Sequence, residues 1–129
     1  MEQENQNHFI AGMTALAAGV GYGSWAIYAN FEHSTHKWVM AGTIQGVYAF
    51  LSTLFITHIA HWVFLKYHCG IRGVLAGFLA SFVVMVTIPL SVHNLLHTPD
   101  IWQTITPGLI WGSIYLLGFL FSLNVKSKP

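Results

Sequence analysis

Between Arg72 and Asp100 the chain reads GVLAGFLASFVVMVTIPLSVHNLLHTP (73–99), 27 residues without an Asp, Glu, Lys or Arg. A helix of about 20 residues crosses a hydrocarbon core of about 30 Å, so this segment holds one span with interfacial margin. Working outward, the charges fall only at Glu2, Glu4, Glu32, Lys37, Lys66, Arg72, Asp100, Lys126 and Lys128. They leave three further uncharged intervals, 5–31, 38–65 and 101–125, of 27, 28 and 25 residues. Each is again the length of one span.

Composition agrees. Of 129 residues, 54% are hydrophobic and 7% charged, against roughly 25% charged in an ordinary soluble domain. Nine charged groups cannot cover a water-facing surface of that size. The chain therefore reads as a single all-α domain, a polytopic integral membrane protein with four transmembrane helices at roughly 9–28, 38–64, 73–95 and 99–123, paired as two hairpins. The apolar runs are continuous, without the alternating ten-residue segments of a membrane barrel.

With four spans, both termini and the middle connection share a side. That side holds Lys66, Arg72, Lys126 and Lys128, whereas the other has only Lys37. The positive-inside rule then predicts cytoplasmic termini; the expected location is the inner (plasma) membrane of a bacterium. The opening MEQENQNH is acidic and the apolar stretch behind it long enough to span, so a cleaved signal peptide is not expected. A net charge of +1 leaves no basic stripe for nucleic acid. The single Cys69 permits no internal disulfide and reads as an incidental thiol.

Within the spans, Ala11, Ala15, Gly19 and Gly23 recur every four residues, a stripe that lets another helix approach closely. Helix 2 carries Gln45, Ser52, Thr53, Thr57 and His61 mostly on one face. His58 lies beside this group and His68 just beyond the helix. Helices 3 and 4 contain Pro89 and Pro107, each of which removes a backbone hydrogen bond. Two readings stand: kinks tolerated by neighbouring helices, or a true break at Thr104, Thr106 and Pro107 whose freed carbonyls line a cavity.

The segments Asn30-Phe-Glu-His33-Ser34-Thr-His-Lys-Trp38 and Asn94-Leu-Leu-His97-Thr98-Pro-Asp-Ile-Trp102 fit one pattern, N-x-x-H-[ST]-x-x-x-W, at an offset of 64 residues. They suggest a duplicated hairpin, 1–64 and 65–129, although the flanking helices align poorly. Helix ends explain most of the motif: Asn at the left-handed terminus, Ser34 or Thr98 as cap, Trp in the interfacial belt. The histidines are left over. Asn30, His33, His93, Asn94, His97 and Asp100 are accordingly candidates for an outer mouth that senses protons or contacts a substrate. His33, His36, His97 and Asp100 would be the ligands if a divalent metal bound there, but no metal or other cofactor is required.

No phosphate loop, nucleophile elbow or paired carboxylates are present, so an enzyme is the weakest class. Helix 1 lacks the membrane-embedded glutamate of the small multidrug exporters, and no family resemblance is carried by these residues. Two functions are left. The first is an oligomeric transporter or flippase-like protein moving a small or lipid-like solute, with Gln45, Ser52, Thr53, Thr57, His61, Thr104 and Thr106 along its path. The second is a non-catalytic accessory subunit of a larger membrane enzyme or secretion complex. The expected partners are membrane lipid and either a second copy of the chain or another membrane protein. A four-helix bundle fills its own centre, so a solute path is expected only in an assembly or at the helix surface.

Overall fold

A computed structural model describes residues 2–68 and 70–128, without the side chains at 2–4, 6–8, 10 and 11; Cys69 lies outside the described residues. The chain forms four helices: α1 (Glu2–Asn30), α2 (Thr35–Lys66), α3 (Gly70–Leu95) and α4 (Ile101–Lys126). No strand occurs among the described residues. Three of the helices, α2, α3 and α4, are long and apolar enough to cross a membrane. We call the end carrying the α1–α2 and α3–α4 connections the loop end, and the other the terminal end.

α2 is the central helix, and small residues decide what packs on it. A Cβ added at Gly19 would sit 3.0 Å from the Gly46 carbonyl oxygen, and one at Gly23 would sit 3.0 Å from that of Gly42. The stripe on α1 is thus used within one copy, against a matching pair on α2. Towards the terminal end α2 turns to α3: a Cβ at Gly73 would meet the Phe64 carbonyl oxygen at 2.8 Å, and one at Gly77 that of Ala60 at 2.9 Å. Backbones this close gain dispersion contacts, which drive helix association where both solvent and side chains are apolar. The buried core belongs to α2, α3 and α4, with Ile56, Ala60, Phe64, Val74, Met85, Leu116 and Leu120 in one cluster.

Several helix-end expectations are corrected. α4 is continuous from Ile101 to Lys126 with Pro107 inside it, so the break at Thr104–Pro107 does not exist. The helix begins two residues later than expected, with Asp100 at the N-cap, while the Thr98 hydroxyl is engaged by His93 instead of capping. Ser34 does occupy the N-cap of α2, but its side chain makes no cap bond. Asn30 and Asn94 are helical. The left-handed positions are taken by His68 (φ 60°) and His97 (φ 53°). Around His97 the Thr98 N–H donates to the His93 carbonyl at 3.0 Å and the His97 N–H to that of Asn94 at 3.2 Å. This is the Schellman termination, which folds the second residue beyond the helix back over its last turn. It is why Thr98 lies against His93.

Candidate functional site

Each proline leaves a carbonyl four residues earlier without its helical donor. Pro107 frees Gln103, and the Trp25 indole Nε1–H of α1 donates to that oxygen at 2.7 Å. Pro89 frees Met85, and the Tyr48 hydroxyl of α2 donates to it at 3.3 Å. Both vacancies in the backbone ladder are thus filled by aromatic donors from a neighbouring helix.

Trp25 belongs to a set of bonds that ties α1 to α4 at the loop end. Asn30, fully buried, donates from Nδ2 to the Thr104 hydroxyl at 2.6 Å and to its own helix at Ala26, while its Oδ1 accepts the Asp100 N–H at 3.0 Å. The Thr104 hydroxyl in turn donates a hydrogen bond to the Asp100 carbonyl. Above this layer His33 Nε2 meets Asp100 Oδ2 at 2.6 Å, and Lys37 donates to the His97 carbonyl at 3.1 Å. The second interaction places a cation on the negative end of α3.

Every described hydrogen bond between α1 and α4 lies in this region. Below it the two helices flank a groove with a volume of about 440 Å³. Thr14, Ala17, Ala18, Gly21 and Tyr22 of α1 form one wall, and Ile105, Gly108, Leu109, Trp111, Gly112 and Tyr115 of α4 form the other. The floor is Gln45, Tyr48, Ala49, Ser52, Thr53, Ile56 and Thr57 of α2 with Met85 and Pro89 of α3. The bundle therefore does not fill its own centre: α1 is packed on α2, and among the described residues its hydrogen bonds to α4 lie at the loop end.

The groove surface is mostly carbon. Thr53 and Ser52 donate to the Ala49 carbonyl, at 2.8 and 3.2 Å, and Thr57 to that of Thr53. Their protons are spent on their own helix. Gln45 differs. It is 2% exposed, its Oε1 accepts from His93 Nε2 at 3.0 Å, and the His93 Nδ1 on the other side meets the Thr98 hydroxyl at 2.9 Å. A carbonyl oxygen can only accept, so Nε2 carries the ring proton and Nδ1 accepts from Thr98. That chain of bonds turns the Gln45 amide nitrogen towards Gly108 on the groove wall, 3.4 Å from where a Cβ would stand.

Of the path residues expected from sequence, Gln45, Ser52, Thr53 and Thr57 line the groove. Thr104 is buried in the loop-end network, Thr106 is exposed and bonded back to Trp102, and His61 is exposed away from the lining. Of the mouth residues, Asn30, His33 and Asp100 are joined, His93 is in the Gln45 relay, and Asn94 and His97 are exposed. Among the described residues no group of three or more His, Cys, Asp or Glu could hold a metal; His33 reaches Asp100, but His36 and His97 do not join them. Sequence reading passed over Tyr22, Tyr48, Trp111 and Tyr115. Pro89 signalled in the sequence that the Met85 carbonyl would need a donor, but not that Tyr48 supplies it.

Compared with known proteins, the chain matches no family model, no curated protein and no solved structure.

Proposed function

We propose that the chain is a small four-span membrane protein of the bacterial inner membrane. In this reading it admits a lipid-like solute between α1 and α4 and moves it as a transporter or flippase-like protein, working as a homodimer or larger assembly. The uncharged interval 5–31 supports α1 as the fourth span, and the basic residues at the terminal end support cytoplasmic termini.

The observation that carries the function is the apolar groove open between two helices. A groove of about 440 Å³ lined mostly by carbon and open to the surroundings does not stay empty in a bilayer, because its wall atoms gain dispersion contacts from whatever fills it. Water is a poor occupant of most of it, because it needs two to four polar partners and the Ser52, Thr53 and Thr57 hydroxyls donate to their own helix. A hydrocarbon chain from the surrounding bilayer fits both conditions.

The test is lipid movement in vesicles reconstituted with the purified protein, read as loss of protection of a fluorescent lipid from an impermeant quencher. Wild type is expected to accelerate exchange over protein-free vesicles. Gly21→Trp is expected to slow it at least tenfold, since Gly21 lines the groove with open space at its Cβ position. Equal rates with and without protein would sink transport. If the chain instead leaves the membrane bound to a larger membrane protein, it is an accessory subunit.

A further inference from the structure

We infer that the Gln45 amide is a recognition site for an uncharged hydrogen-bond acceptor, a carbonyl or ester oxygen, on the lipid that occupies the groove. This rests on the lipid-groove reading above and names the chemistry of its occupant. Gln45 is 98% buried by the complement of its 2% exposure, and it donates to no protein acceptor among the described residues. Its nitrogen lies against Gly108, with the Tyr22 ring 4.0 Å from the same Cβ position. Glycine at 108 leaves the approach to the amide open.

The two donor hydrogens of an amide cannot go unpaired in an apolar site without a cost, so the site selects a ligand that supplies an oxygen. His93 and Thr98 hold the amide from behind, which fixes its donor side forward.

Charge excludes other lipid groups. No Asp, Glu, Lys, Arg or His lines the groove, so a phosphate or ammonium there would lack a counter-charge. Depth points the same way. Gln45 lies about 8 Å along α2 from the helix midpoint, well inside a hydrocarbon core of about 15 Å per leaflet. Phospholipid headgroups lie outside that core. From Gln45 to Thr57 the floor runs about 18 Å, room for an extended acyl or prenyl chain below its carbonyl. Tyr22, Tyr48 and Trp111 line the groove beside it, aromatic surface suited to a flat carbonyl-bearing ring as well as to an ester.

The experiment titrates the full-length protein in mild detergent with decylubiquinone, methyl palmitate or dioleoylphosphatidylglycerol, reading bound ligand by native mass spectrometry. We expect the quinone, the ester or both to bind with a preference over the phospholipid; which of them binds tells a ring carbonyl from a chain ester. Gln45→Leu should weaken that binding about tenfold, the loss of one hydrogen bond in an apolar site. Gln45→Leu also strands the His93 ring proton, so Gly108→Val is the companion variant. It leaves the Gln45–His93 bond in place and puts methyl groups in front of the amide, and the same loss is expected. Undiminished binding of the carbonyl lipids to either folded variant overturns the inference. Binding of the phospholipid alone also overturns it while leaving a lipid groove standing. Binding of none of the three, with no effect of Gly21→Trp on exchange, removes the groove reading as well.

Discussion

Trp25 and Tyr48 show how single side chains let prolines sit inside apolar helices. A carbonyl without a donor in hydrocarbon has no water to turn to, and each of these oxygens is met by an N–H or O–H from the next helix. Trp25→Phe keeps the ring and removes the donor, so it should destabilise the fold by about 1–3 kcal/mol in a denaturant titration in detergent. Pro107→Ala supplies a backbone N–H to the same Gln103 oxygen. In that background Trp25→Phe should cost much less, and a double-mutant cycle measures the difference. Additive effects would mean that the indole bond is not the proline's compensation. The sequence shows the missing N–H of Pro107 but not the indole, 82 positions earlier, that replaces it. This is why the sequence leaves two readings open, a tolerated proline and a break, and the continuous α4 agrees with the first.

At the scale of elements, the period-four stripe on α1 was legible because close backbone approach demands residues without side chains. Its partner was not, because Gly42 and Gly46 acquire meaning only once α2 is placed beside it. Gly46→Leu would put a Cβ 3.0 Å from the Gly19 carbonyl oxygen, a backbone atom that cannot rotate away. The two helices must then separate along the contact, with a loss of several kcal/mol expected for overpacking of this kind. Gly12→Leu is the matched control, with nothing within 4 Å of its Cβ position, and should stay within about 0.5 kcal/mol of wild type. Thermal melts of the two variants in the same detergent distinguish a contact-specific effect from a general intolerance of leucine.

For the whole molecule, charge spacing revealed four helices, but no local pattern revealed which pairs stay together along their length. Gln45, Ser52, Thr53 and Thr57 were found as one polar face of α2. Tyr22, Tyr48, Trp111 and Tyr115 were not, since aromatic residues are ordinary in an apolar helix and become a wall only when a gap lies in front of them. The gap follows from where α1 and α4 are joined. Asn30→Leu removes both side-chain bonds from Asn30 to α4, and, with Cys69→Ser in both chains, spin labels at Ala17→Cys and Gly112→Cys should then report a broader and longer distance distribution than with Asn30 in place. An unchanged distribution would show that the helices are held apart by packing alone. Among the described residues the hydrogen bonds between α1 and α4 sit at one end, so α1, moving with the α2 it packs on, stands to α4 as a lever does to its pivot. Thr14 is 16 residues from Asn30, an arm of about 24 Å, so a tilt of about 10° at the pivot carries it about 4 Å, the span of one carbon–carbon contact. If the groove holds lipid as proposed, a small rearrangement among Asn30, Thr104 and Asp100 would be geared into the difference between a slot that grips a hydrocarbon chain and one that lets it slide.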